Sequence, residues 1–249
     1  MNARRPLLLA LLVLGLSACA SKQNLSDPVN DPYEPFNRGV FAFNTALDNA
    51  VFKPVSRGYL AVTPEPVQDG FRNFFDNLRM PLTILNLALQ GKFKETGQGL
   101  KRFTVNTTIG LFGFMDPASY HDIPRYDEDF GQTFATWGWE NSHFVMLPFL
   151  GPSTVRDTAG AGTRWVAGTT NGWVDPVSWA IDNGRYEPVV LDAVVRRSDL
   201  LPTTDRFEDA YDPYQLMRDA FLQNREFMIY DGDPPTPDYD AYLEELDAE

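Results

Sequence analysis

Few residues of this chain have the types and spacing that catalysis or metal binding requires. The 249-residue sequence contains two histidines, His121 and His143, and a single cysteine. A tetrahedral His/Cys metal centre is therefore nearly excluded. A serine nucleophile would need a glycine-flanked turn and a histidine base, and the nearest approach is Gly151-Pro152-Ser153. That serine is more simply interpreted as a helix cap. The sequence predicts no catalytic residue, no metal site and no cofactor.

Two other segments have compositions that invite a ligand-binding interpretation. The acidic run Asp127–Asp129 lacks the alternating oxygen ligands and the turn glycine of a calcium loop. The segment Gly160–Gly162 lacks the third glycine of a dinucleotide fingerprint and the lysine of a P-loop. Neither segment is a strong candidate for a cation or a phosphate site.

The residue with the clearest chemistry is Cys19. It follows a basic start with Arg4 and Arg5, an apolar run and small residues, which is the order of an export signal. As a helix the run would reach only about 15 Å, half of the roughly 30 Å hydrocarbon core. The segment Leu16–Cys19 resembles the lipobox of bacterial lipoproteins, in which the thiol takes a diacylglyceryl group. We predict a signal peptide over residues 1–18 and lipidation of Cys19.

The residues around the anchor predict where the protein goes. Ala20 stands where the common inner-membrane retention signal would place Asp, so by analogy with known lipoprotein sorting we expect the outer membrane of a Gram-negative bacterium. Residues 19–35 are polar and rich in proline, which is typical of a flexible tether. The body would then face the periplasm, and acyl chains would hold it to the membrane.

The charge of the chain excludes some partners. The formal net charge is −13, and eight acidic residues without any Lys or Arg fall in residues 231–249. An acidic balance argues against nucleic acid, because phosphate binding needs a basic patch, and against recruitment by anionic head groups. We expect residues 231–249 to form an acidic, disordered tail.

Apolar residues recur at helical spacing through most of residues 36–230, which predicts a mainly α body. The first predicted helix runs from Phe36 to a break at Pro54, and two later helices meet at a bend at Pro81. A helix over 92–109 is weakened by two glycines. Further helices are predicted to start at a cap on Ser153 or Thr154 and over 175–181, 186–197 and 211–230.

Two segments between the predicted helices are richer in glycine and aromatic residues. Residues 107–117 are predicted to form a buried turn or a loop that dips into one membrane leaflet. Residues 130–152 favour irregular loop with at most one short hairpin. The five tryptophans are difficult to bury together with every indole N–H satisfied, whereas a membrane interface suits them.

Motifs along the whole body resemble one family, the VacJ/MlaA lipoproteins. The opening DPYEPFNR starts at Asp31, and later matches include EDFGQT from Glu128 and LPFLGPS from Leu147. The segment Glu140–Phe144 departs from the family, which usually has Gly-Pro-Tyr there. The remaining matches lie in the same order as in the family, at Phe41–Asn44, Leu47-Asp48, Asn86–Gly91, Arg102-Phe103, Asn106-Thr107, Gly110–Asp116, Arg156-Asp157 and Tyr211–Tyr214.

The resemblance implies a ring-like helical domain embedded in one membrane leaflet, around an amphipathic channel. It implies removal of mislocalised phospholipids from the outer leaflet of the outer membrane and their passage to a periplasmic lipid carrier. An outer-membrane porin trimer is the further partner that it implies.

Our candidates for the lipid path are Phe43, Asn44, Asn106, Thr107 and Gly110. The two asparagines have an equally good explanation as partners of buried backbone groups. Two other functions remain open on the sequence. One is a membrane-anchored adaptor that binds a porin or envelope protein without passing lipid, and the other is a phospholipase working through Ser153 and His143.

Overall fold

The computed structural model describes residues 31–235 except 171, 173, 208 and 209, and except the side chains of 206 and 207. Within this part the chain forms ten α-helices, one π-helical segment and one two-stranded sheet. The predictions for Cys19, the signal peptide, most of the tether and nearly all of the acidic tail lie outside the described residues. The mainly α fold with one short hairpin is confirmed.

The helices and strands follow one another in this order: α1 (Glu34–Leu47), a π segment (Asp48–Phe52), α2 (Lys53–Val62), α3 (Glu65–Leu89), α4 (Phe93–Thr108), α5 (Pro117–Tyr120), α6 (Phe130–Thr136), β1 (Phe144–Leu147), β2 (Gly151–Thr154), α7 (Val155–Thr170), α8 (Pro176–Asp182), α9 (Glu187–Phe207) and α10 (Pro213–Ile229).

The predicted break at Pro54 is wrong. The π segment joins α1 directly to α2, and Pro54 lies in the first turn of α2. A proline has no N–H to donate and its ring collides with the preceding turn of an α-helix. The wider π turn precedes the proline and accommodates it, so the chain stays helical.

The prediction of two separate helices on either side of Pro81 is also wrong, because α3 is one helix of 25 residues with Pro81 inside it. Buried side chains lie on both sides of the proline, among them Phe75, Met80 and Leu87. Each such side chain contributes about 1.5–3 kcal/mol when fully buried. Together they outweigh the roughly 3 kcal/mol that one interior proline costs.

The core joins the two ends of the body to the hairpin. Strand β1 pairs antiparallel with β2, from Phe144 opposite Thr154 to Leu147 opposite Gly151. Phe144, Met146 and Tyr214 form a buried cluster, and partly buried residues of α1 and α10 pack against it. The hairpin therefore holds the first and last helices together.

Aspartate and threonine side chains fix several helix starts. Thr154 accepts the Asp157 N–H at 3.1 Å, so the predicted cap is Thr154, and α7 extends to Thr170. Asp129 accepts the Gln132 N–H at 2.9 Å and starts α6, a helix where loop was predicted. The last helix is confirmed as predicted, and α9 is ten residues longer than the predicted end at Arg197.

Contacts between helices close a ring. Helix α3 contacts α6, α6 contacts α7, α7 contacts α8, α8 contacts α9, and α9 returns to α3. Helix α4 packs along α3, and α10 packs on α6 and β2. In the described part of the chain no helix is long and apolar enough to cross a membrane.

Candidate functional site

A cavity of about 370 Å³ lies inside the helical ring. Its walls come from α3, α4, the segment between α5 and α6, α7, α9 and α10. Five arginines and five acidic residues line it, and Met80, Leu82 and Met228 contribute apolar surface. The cavity is thus amphipathic and close to electrically balanced.

Asp76 is the centre of the first charged cluster in the wall. It accepts a hydrogen bond from the Arg79 guanidinium at 3.0 Å, and Arg125 approaches its other oxygen at 2.8 Å. Burial raises the pKa of Asp76, although the positive charges of Arg125, Arg79 and Arg196 oppose that rise. These guanidinium groups therefore favour the charged form of the buried carboxylate.

Asp192 is the centre of a second cluster on the opposite wall, on α9. It pairs with Arg79 across the ring and with Arg196 one turn along its own helix, the latter at 3.3 Å. Burial lowers the pKa of Arg196, and the neighbouring charges of Arg79 and Arg164 lower it further. Arg164 itself pairs with Asp175 at 2.7 Å. Arg79, Arg164 and Arg196 all line the cavity, and their charges act on one another.

A polar junction connects the cavity to the end of α4. Asn106 donates to Asp116 at 2.9 Å and accepts the Ala118 N–H at 3.0 Å. Burial would raise the pKa of Asp116, but hydrogen bonds from Ser119 and Asn106 and the charge of Arg102 lower it. This network fixes the direction in which the chain leaves α4.

Beyond the junction lies an exposed apolar surface, residues 109–115, which we call the apolar turn. Ile109 is 67% exposed, Leu111 56%, Phe112 73% and Met115 55%. The alternative of a buried turn is therefore wrong, and a leaflet-dipping loop stays a prediction. Exposed apolar residues clustered in this way are typical of a membrane or protein contact.

Phe114 attaches the apolar turn to α3. Its ring stacks on Phe74 with a centroid separation of 4.7 Å and meets Phe71 edge-on at 5.9 Å. The side chain of Asn77 donates to the Thr107 hydroxyl at 3.0 Å, and a Cβ on Gly113 would lie 2.4 Å from that of Asn77. The turn is rigidly held, although its outer face is apolar.

The candidates for the lipid path fall in two places. Phe43 and Asn44 lie at the hairpin, where the Phe43 ring meets Phe149 at 5.2 Å. Asn44 donates to the Leu147 carbonyl and accepts the Phe149 N–H, both at 2.9 Å. Asn44 therefore holds the backbone of the hairpin turn.

The other three candidates lie together at the end of α4: Asn106, Thr107 and Gly110. Of the five candidates, Asn106 is the one that lines the cavity. Thr107 accepts from Asn77, and a Cβ on Gly110 would lie 2.4 Å from the Asn106 and Met115 carbonyls. A bulky residue at Gly110 would therefore distort the turn before it narrowed the cavity.

Sequence reasoning missed the charged residues of the cavity wall. Asp76 and Arg79 are spaced three apart, which is typical of an exposed ion pair on a helix. Asp192, the partner of Arg79 on α9, is more than a hundred residues away in the chain. Only closure of the ring turns this polar helix face inward, so no local signal distinguished it from a solvated one.

The serine and histidine of the phospholipase hypothesis are not partners of each other among the described residues. The Ser153 hydroxyl contacts the Thr154 carbonyl at 3.2 Å and the Thr158 hydroxyl at 3.1 Å. The His143 ring meets Tyr33 edge-on at 6.2 Å. A nucleophile needs its base within hydrogen-bond reach, and this pair does not provide it.

Comparison with known proteins decides the family. The family model described as MlaA lipoprotein matches residues 29–228. The chain belongs to the MlaA lipoprotein family. It is 30% identical over 243 residues to the intermembrane phospholipid transport system lipoprotein MlaA of Haemophilus influenzae, covering 92% of both chains.

Further relatives and one solved structure are similarly close. The protein of that name from Escherichia coli is 30% identical over 232 residues, covering 90% of both chains. An uncharacterized protein of Rickettsia prowazekii is 33% identical over 205 residues, covering 81% of this chain and 78% of that one. A solved structure described as the structural basis for maintenance of bacterial outer membrane lipid asymmetry superposes with a TM-score of 0.68. It is 29% identical and covers 80% of this chain and 99% of that chain.

Proposed function

We propose that this protein is an outer-membrane lipoprotein that removes mislocalised phospholipids from the outer leaflet. Lipid would pass through the cavity of the helical ring to a periplasmic lipid carrier. The names of the relatives from Haemophilus influenzae and Escherichia coli, intermembrane phospholipid transport system lipoproteins, support this assignment. Such a role needs no catalytic base, in keeping with the Ser153 and His143 geometry.

The observation that carries the proposal is the amphipathic cavity inside a closed ring of helices. A phospholipid has a charged head group and apolar chains, so its path needs both kinds of surface side by side. The cavity wall offers ion pairs on α3 and α9 next to methionine and leucine side chains. Three of the five ring helices, α3, α7 and α9, contribute side chains to this wall.

The apolar turn and the tryptophans support a position within one leaflet. Residues 109–115 expose a contiguous apolar surface at the end of α4. Four tryptophans are exposed by more than two fifths: Trp137, Trp139, Trp165 and Trp179. Exposed indoles suit the boundary between acyl chains and water. Acylation of Cys19 would hold the body at the membrane, and these surfaces would set its depth.

The second candidate is a membrane-anchored adaptor that binds a porin trimer or another envelope protein without passing lipid. Its support is the hairpin tip, where Phe149 and Leu150 are 70% and 77% exposed. A porin trimer could also accompany a transporter, so partner binding alone does not separate the two functions. A variant with a blocked cavity separates them, because it impairs lipid transport but not partner binding.

A variant that fills the cavity tests the proposal. Asn73 lines the cavity on α3, and Asn73→Trp would obstruct it. Asn224→Trp places the same side chain on an exposed face of α10 as a control. We expect a deletion strain to accumulate phospholipid in its outer leaflet. Expression of Asn224→Trp should lower that phospholipid to the wild-type amount, whereas Asn73→Trp at the same protein level should not. Full restoration by Asn73→Trp would favour the adaptor.

A further inference from the structure

One guanidinium group in the cavity wall has donors left over after its ion pair is made. Within the described residues, Arg196 makes its side-chain hydrogen bond through Nε, to Asp192 at 3.4 Å. Its side chain is 51% accessible although it lies inside the ring. Its two terminal nitrogens make no side-chain hydrogen bond to any described residue, and Arg196 lines the cavity.

Two other guanidinium groups lie near Arg196, and each has a carboxylate partner. Arg79 shares the same Asp192 carboxylate, and the Arg164 charge lies close enough to act on Arg196. Arg79 is itself 16% accessible, and its Nε is buried without a hydrogen-bond partner among the described residues. Asp192 thus serves two guanidinium groups, of which Arg79 also pairs with Asp76 at 3.0 Å.

A ligand anion would give the terminal nitrogens of Arg196 the acceptors that the described residues do not supply. Arginine presents paired N–H donors in a planar fork that matches the oxygens of a phosphate. Binding a phosphate at Arg196 would relieve the repulsion from Arg79 and Arg164 without breaking the pair to Asp192. The apolar surface of Met80 and Met228 in the same cavity suits acyl chains attached to that phosphate.

We propose that Arg196, with Arg79 and Arg164 behind it, is a phosphate-recognition site for phospholipid inside the ring. The site rests on the proposed function, because it names the part of the lipid that the cavity binds. It favours lipids with a phosphodiester over those without one. Head groups beyond the phosphate face the ion pairs of Asp76 and Arg125.

The test uses the full-length lipoprotein in detergent and three probes: dihexanoylphosphatidylglycerol, dihexanoylglycerol and inorganic phosphate. Arg196→Gln removes the charge, and Arg57→Gln is the matched control. Arg57 is 58% accessible and pairs with Asp205, and it does not line the cavity. Calorimetric titration gives each dissociation constant, and a thermal melt shows whether each variant is folded.

We expect Arg196→Gln to weaken phosphatidylglycerol binding about tenfold or more, because it removes a charge-assisted hydrogen bond. The dissociation constant of dihexanoylglycerol should not change. Arg57→Gln should change neither. An equal loss for both lipids, or no loss, would overturn the site. Inorganic phosphate binding as tightly as the lipid would assign the site to free phosphate instead.

The wild-type protein provides a second test that does not depend on the variant. If Arg196→Gln does not fold, phosphatidylglycerol should still bind the wild type about tenfold or more tightly than dihexanoylglycerol. Equal binding of phosphatidylglycerol and dihexanoylglycerol would contradict the phosphate site but not the proposed function. Binding of neither lipid would contradict the proposed function itself.

Discussion

Asp175 shows how one side chain can secure both a helix start and the cavity wall. It caps α8 by accepting the Val177 N–H at 3.2 Å, and it accepts the Ser178 hydroxyl at 2.6 Å. It also pairs with Arg164, while its own side chain is 2% accessible. Burial would raise the pKa of Asp175, but Arg164 and Ser178 outweigh burial and lower it.

The lowered pKa of Asp175 predicts an acid-sensitive contribution to stability. A carboxylate with a depressed folded pKa stabilises the protein above its unfolded pKa of about 3.9 and loses that contribution as pH falls further. We expect Asp175→Asn to lower the free energy of unfolding at pH 7 by about 2 kcal/mol or more, since it leaves Arg164 without its partner. As the pH falls below about 4, the difference from wild type should shrink.

Urea unfolding of the purified protein from pH 7 to pH 3 measures this dependence. Asp233→Asn, at an exposed position after α10, should follow the wild-type curve. A constant difference between Asp175→Asn and wild type across the whole range would contradict the role of the Asp175 charge.

At the scale of elements, two glycines near α4 should respond oppositely to the same substitution. Gly113 has φ +96°, and a Cβ there would lie 2.4 Å from the Asn77 Cβ. Gly97 lies inside α4, and a Cβ added there would have no neighbouring atom within 4 Å. Alanine is strained at the first position and favours the helix at the second.

We expect Gly113→Ala to destabilise the protein and Gly97→Ala to stabilise it by about 0.5–1 kcal/mol. Thermal melts of the two variants in the same detergent measure the difference. A lowered melting temperature for Gly97→Ala, or an unchanged one for Gly113→Ala, would contradict this description of α4 and the apolar turn.

Local patterns predicted most elements of the fold because they act over short distances. The helix over 92–109 and the last helix were predicted from apolar spacing and from Asp-Pro starts, and both are confirmed. The two prolines were misjudged because their cost is offset elsewhere, by a π turn before Pro54 and by tertiary burial around Pro81. Neither compensation leaves a signal in the adjacent sequence.

The candidate site was harder to predict because it exists only after the ring closes. Asn106 was identified as a polar residue beside an apolar turn, and it does line the cavity. Arg79 and Arg196 lie on helices far apart in the chain, and each has the spacing of an ordinary surface ion pair. Which faces turn inward depends on how the helices pack, and one sequence alone does not show this.

At the scale of the whole molecule, the apolar turn should determine how deeply the ring sits in the bilayer. Cys19 is the only cysteine, and lipidation would block its thiol, so a cysteine introduced elsewhere can be labelled while the anchor stays in place. We expect a fluorophore on Leu111→Cys, reconstituted in bilayers with spin-labelled acyl chains, to be strongly quenched. A fluorophore on Asp233→Cys, beside acidic residues, should be quenched little. Equal quenching at the two positions would contradict a leaflet-inserted apolar turn.

The central claim is that phospholipid occupies the cavity inside the helical ring. Photocrosslinking in living cells tests it most directly, with a light-reactive amino acid at Asn73 in the cavity wall and, as control, at exposed Gln223 on α10. We predict a phospholipid adduct by mass spectrometry at Asn73 and little or none at Gln223. No adduct at Asn73, or equal yields at both positions, would contradict passage of lipid through the ring.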